Sequence, residues 1–96
     1  MILEQAMLPV TPDQEADFER AFAQAKDIIS TMQGFRGLTL SRCLERPSVY
    51  LLLVEWERLE DHTVGFRGAP AHEEWRALLH PFYASPPSVE HFAPVF

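Results

Sequence analysis

The sequence predicts an α+β fold of the ferredoxin-like kind: a βαββαβ order giving a four-stranded antiparallel sheet with two helices on one face. Three observations carry that reading. The hydrophobic period changes four times along 96 residues, from strand-like to helical, to two successive strands, to helical and back. A strong amphipathic stripe runs from Phe18 to Met32. The segment Val49 to Glu57 is apolar on both faces up to Val54. A strand of that kind must be covered on both sides.

The first strand is expected over Met1 to Val10, where apolar residues are interrupted only by Glu4 and Gln5 before Pro9 and Pro12. Phe18, Ala21, Phe22, Ala25, Ile28, Ile29 and Met32 then share one helical face, with Asp17, Glu19, Arg20, Lys26 and Asp27 turned away. Thr11 is expected to cap this helix, with Pro12 at its first position and Gln14 closing a capping box. Gly34 is the natural terminator. The second strand, Phe35 to Glu45, places Leu38, Leu40, Arg42 and Leu44 on one side, and Arg46, Pro47 and Ser48 turn the chain into the third. A second helical region begins at Leu59, breaks near Gly68 and Pro70, and carries His62 and Phe66 four apart in its first piece. Its second piece runs from Ala71 to about Tyr83, with Trp75, Leu78, Leu79, Phe82 and Tyr83 on or near one face and Pro81 as a kink or end. The last strand is read over Val89 to Phe96.

Residues 1–96 are therefore expected to form one domain. Two helices cover one face of the sheet, and 96 residues leave nothing for the other. A second copy of the chain is the economical cover. A homodimer packed sheet to sheet would bury either Tyr50, Leu52 and Val54 or Val49, Leu51 and Leu53.

Eight Lys and Arg against fourteen Asp and Glu give a formal charge of -6, with no basic stripe to meet a phosphate backbone. Nucleic acid is not an expected partner. No apolar run reaches the roughly 18 residues that cross a bilayer, and the N-terminus lacks the basic start of a signal peptide. A single cysteine, Cys43, excludes an intrachain disulfide and fits a reducing cytoplasm.

Candidate chemistry lies in the second half. His62, His72, His80 and His91 are spaced by 10, 8 and 11, so no two share a helical face at i, i+4. His72-Glu73 opens like a zinc-binding HExxH, but Arg76 stands in its closing position, so no metal is expected. No glycine-rich phosphate loop is present, and Cys43 has no neighbouring base to activate it. Trp56, His62, Phe66, Trp75, His80, Phe82, Tyr83, His91, Phe92 and Phe96 form an aromatic and histidine enrichment. It reads either as core or as the wall of a pocket for a flat aromatic ligand. Arg42 either snorkels at the sheet edge or anchors an anionic oxygen.

From Val49 to Phe92 the sequence resembles the antibiotic biosynthesis monooxygenase domain family. The resemblance rests on the strand ending Glu55-Trp56, the short segment to His62, Phe66-Arg67, the Ala69-Pro70 break before Trp75-Arg76, and the closing Val89-Glu90-His91-Phe92. MQGFRGLTLSR, after the first helix, also fits. The resemblance implies a dimeric α+β barrel and a cofactor-independent monooxygenase, which deprotonates an electron-rich phenol or quinol and lets the anion reduce dioxygen. In those terms His62 is the candidate base and Arg42 the phenolate stabiliser. Trp56, Phe66, Trp75, His80 and Tyr83 are the candidate substrate-binding residues. A related haem-degrading branch uses Asn, Trp and His at positions that fall here near Gln5 or Ala6, at Phe66 and at Arg76, so haem is not an expected ligand. A non-catalytic small-molecule-binding barrel and a lactone isomerase are the alternatives the same architecture allows.

Overall fold

Each change of period becomes a change of element in the computed structural model, which describes all 96 residues. The order is β1 (Ile2–Pro9), α1 (Glu15–Ile29), β2 (Phe35–Arg42), β3 (Val49–Trp56), a π-helical turn (Asp61–Phe66), α2 (Pro70–Leu79), a 3-10 turn (His80–Phe82) and β4 (Ser88–Phe92). The strands form one antiparallel sheet in the order β2-β3-β1-β4. This is the ferredoxin-like topology that the element order predicts.

Register decides which residues meet the helices. Glu4, Ala6 and Leu8 of β1 lie opposite Val54, Leu52 and Tyr50 of β3, and all six are buried. Phe18, Phe22, Ala25 and Ile29 of α1 and Leu79 of α2 close over them to form one core. Burial of each large side chain here contributes about 1.5–3 kcal/mol. The other face carries Leu3, Met7, Val49, Leu51 and Leu53, none of them fully buried. Of the two sets that a second copy could cover, Val49, Leu51 and Leu53 are therefore the set the fold leaves available.

The start of α1 differs from the expected capping box. The Gln14 amide donates to the Thr11 carbonyl at 3.1 Å, and Asp13 between them has φ 72°. Proline second and a left-handed residue third make a tight turn, so helical geometry begins only at Glu15. The Thr11 hydroxyl instead donates to the Phe82 carbonyl at 3.0 Å, tying the approach to α1 to the end of the second helical region.

Two strand ends are shorter than expected. β2 stops at Arg42, and Leu44 is 89% exposed in the turn rather than sharing a face with Leu38 and Leu40. There the Cys43 amide bonds to the Val49 carbonyl and the Val49 amide to the Arg46 carbonyl, closing the hairpin early. β4 stops at Phe92, shortly before Pro94, which has no amide to continue a ladder. Pro81 tightens the end of α2 into the 3-10 turn.

Candidate functional site

Glu4 is the one charged residue on the helix-covered face of β1, and it is 5% exposed. The sheet places it between Val54 and His91. Such a carboxylate is costly without partners. The Trp56 indole N–H donates to Glu4 Oε1 at 2.9 Å, and His62 Nε2 approaches the same oxygen to 3.4 Å. His62 is itself 5% exposed and stacks on the Trp56 ring, with centroids 5.5 Å apart and planes 20° from parallel. On its other side His62 Nδ1 lies 2.8 Å from His91 Nε2. The result is a row of carboxylate, buried imidazole and outer imidazole. With Glu4 ionised, a neutral His62 places its proton on Nε2 toward the carboxylate, and Nδ1 accepts from His91 Nε2–H.

The π-helical turn aims His62 inward. The Arg67 amide reaches back five residues to the His62 carbonyl at 3.1 Å, and the wider turn brings both His62 and Phe66 to the buried side. Its entry is pinned by Asp61, whose carboxylate accepts the Arg58 amide at 3.0 Å. Widened turns of this kind recur at functional sites.

Burial sets the electrostatics. It raises the Glu4 carboxyl above its ordinary value, although the Trp56 hydrogen bond and the Arg67 charge act the other way. Burial also pushes His62 down to about 3, helped by the charges of Arg67, His91 and His72. His62 is thus a neutral imidazole near pH 7, and Glu4 is a better proton acceptor than a carboxylate in water. His91 and His72 are lowered too, by burial first.

Glu4 and His62 form the buried side of a cavity of about 140 Å³. Ala6, Leu52, Phe66, Trp75 and Leu79 supply apolar wall, and Arg67, His72, Arg76 and His80 supply polar lining. Phe66 and Trp75 meet edge to face, 5.7 Å apart. A cavity of roughly this volume accommodates one benzene ring.

Of the residues expected at the site, His62, Phe66, Trp75, His80 and Tyr83 do line this cavity. Trp56 does not: it is fully buried behind Glu4 and acts on the site by holding that carboxylate. Arg42 does not line it either, which fits the sheet-edge reading of that residue rather than the anion anchor. It lies at the far end of β2, where it donates to the Pro47 carbonyl, sits over the Tyr50 ring and faces Glu19 at 4.0 Å. The permanent cations at the cavity are Arg67 and Arg76 instead.

Glu4 had no role from sequence, although an acid alone on an apolar strand face was its visible signal. The part played by His91 depends on its pairing with Glu4 across the sheet, which spacing along the chain does not reveal. No group of three His, Cys, Asp or Glu side chains is arranged to hold a metal ion, and no helix is long and apolar enough to cross a membrane.

Comparison with known proteins places this geometry among relatives. Residues 1–78 match the family model described as antibiotic biosynthesis monooxygenase. An uncharacterised Bacillus subtilis protein, YczJ, is 55% identical over 95 residues, 99% of this chain and 100% of that one. A crystal structure from Bordetella bronchiseptica, of a protein provisionally named an antibiotic biosynthesis monooxygenase, superposes with a TM-score of 0.95 at 40% identity. That match covers 99% of this chain and 97% of the other. SnoaB, a cofactor-independent oxygenase from Streptomyces nogalater, shares the fold at a TM-score of 0.83 and 18% identity, over 97% of this chain and 91% of its own.

Proposed function

Because the chain belongs to the antibiotic biosynthesis monooxygenase family, we propose that its cavity oxidises a small electron-rich phenol or quinol with dioxygen, using no cofactor. The observation that carries this reading is the buried Glu4–His62–His91 row opening onto an aromatic-walled cavity. The cofactor-independent chemistry of the structurally similar SnoaB supports it.

Glu4 takes the proton of the ring hydroxyl, which its burial suits it to do. The walls keep water away, so the negative charge remains on the ring rather than being solvated. A ring carbon of the anion then bonds to dioxygen, and the proton held at Glu4 returns to the distal oxygen to give a hydroperoxide. Loss of that oxygen with the carbon-bound hydrogen, as water, leaves a carbonyl. The balance is phenol plus dioxygen to quinone plus water: the ring supplies four electrons and the O–O bond breaks. His62 and Trp56 position the carboxylate, and His91 links His62 outward.

The same reading gives the molecule a second copy of itself. Packing of two sheets through Leu3, Met7, Val49, Leu51 and Leu53 would complete a dimeric α+β barrel and cover the face the helices leave bare.

The test is turnover of resorcinol and 3-methoxyphenol by metal-stripped protein under ¹⁸O₂. One labelled oxygen in the quinone and one in water supports the proposal. Binding with no product across the panel would instead support a small-molecule-binding barrel, and oxygen-independent conversion of a lactone would support an isomerase.

A further inference from the structure

The proposed reaction leaves one part of the cavity unused, its cationic side. The chain is acidic, with 14 Asp and Glu against 8 Lys and Arg. Yet the cavity lining reverses that balance: Arg67 and Arg76 are there with His72 and His80, and Glu4 is the only acid. Arg76 is shared with Glu73, which stands 3.8 Å away on the same helix. Arg67 has no ion-pair partner in the structure. Arg67 lines the cavity, and its charge acts on Glu4, His62, His72 and His91 together.

Volume and charge together restrict the ligand. About 140 Å³ is room for one ring against the edge-to-face pair of Phe66 and Trp75. Glu4 and His62 are buried while Arg67 and Arg76 are exposed, so a group on the ring that is directed toward solvent would meet the two guanidinium groups. A guanidinium offers parallel N–H donors that match the two oxygens of a carboxylate.

Resting on the catalytic reading above, we propose that the substrate is a single aromatic ring bearing both a hydroxyl and a carboxylate. The hydroxyl sits at Glu4 and the carboxylate at Arg67, with Arg76 beside it. The two ends of the cavity thereby orient the ring: the end that is to lose a proton meets the buried carboxylate, and the permanently charged end stays near water.

The experiment is binding, measured under nitrogen so that the result stands whether or not the protein turns over. The probes are 3-hydroxybenzoate and its neutral isostere 3-hydroxybenzamide, titrated calorimetrically into wild type, R67Q and R67Q/R76Q, with thermal melts confirming that the variants fold. Wild type is expected to favour the benzoate by about tenfold or more at low salt, the scale of one charge-assisted pair. That preference should shrink several-fold in R67Q, disappear in the double variant, and weaken with added salt. Equal affinity for the two probes in wild type, binding of neither, or an undiminished preference in R67Q/R76Q would overturn the proposal.

Discussion

At the scale of single residues, the site is built around a carboxylate kept out of water. Glu4 accepts from the Trp56 indole and lies beside His62, and all three side chains are nearly inaccessible. Substituting Glu4 with Gln preserves shape and leaves an amide oxygen for the indole while removing the base. The expected result is a loss of about 10²–10⁴ in kcat with the fold intact, the range for removing a general base, read by steady-state kinetics and circular dichroism. His62 supplies an equilibrium prediction. Its pKa is about 3 in the fold against 6.5 when free, so its contribution to stability is complete above about pH 6.5 and is lost as pH falls toward 3. Glu4 has the opposite sign: its raised pKa favours the fold at low pH and costs stability as pH rises through its folded value. Comparing urea midpoints at pH 7 and 4.5, wild type should lose about 2 kcal/mol more than His62→Gln. Equal losses would show that His62 is not held neutral. His62 was legible in the sequence as a ring four residues before Phe66. Glu4 left only the signal of an acid on an apolar strand, because its neighbours in β1 reveal which face is the inner one only once the register with β3 is fixed.

Elements place these residues, and the least regular of them matter most. The π-helical turn exists because the chain must swing His62 and Phe66 onto the sheet within six residues, and its first residue, Asp61, is wedged against Gly34. Gly34 has φ 83°, and a Cβ there would fall 2.0 Å from the Asp61 carboxylate. Gly34→Ala should therefore destabilise by about 1–3 kcal/mol and lower activity as well, because the clash displaces the turn that carries His62. Chemical denaturation and kinetics check the two effects separately; a neutral substitution would contradict the wedge. Asp13, left-handed at φ 72°, predicts the reverse. Asp13→Gly should stabilise by up to about 1 kcal/mol, seen as a higher melting temperature, because relief of the left-handed strain exceeds the cost of the glycine's extra freedom in the unfolded chain; an unchanged or lower melting temperature would contradict this. The stripe of α1 was legible because its period is long and uniform. The capping box was misread because the same Thr-Pro-Asp-Gln letters also encode a tight turn, and the distant Phe82 carbonyl decides between them.

Across the whole molecule, the sheet separates two kinds of surface. One face holds the core and the cavity; the other carries a half-buried apolar stripe running from Leu3 and Met7 to Leu53. The doubly apolar third strand made that division visible from sequence alone, before any coordinates distinguished the face of Tyr50 from the face of Leu51. The proposed dimer predicts a light-scattering mass twice that of the chain. Leu51→Lys should halve it while leaving the circular dichroism spectrum unchanged; a wild-type mass equal to one chain would remove the dimer from the account. Arg42 shows the limit of reading at this scale. On a flat strand diagram it shares a face with Leu38 and Leu40, but it lies at the opposite end of the sheet from His62, across from Tyr50.

The central claim is that a buried carboxylate, with no bound group, activates a phenol toward dioxygen. The most direct measurement is oxygen uptake by chelator-treated wild type beside Glu4→Gln, with resorcinol and 3-hydroxybenzoate as substrates. Uptake that survives chelation and falls at least about a hundredfold in the variant is the predicted result. Uptake that chelation abolishes, or that Glu4→Gln retains in full, would contradict it.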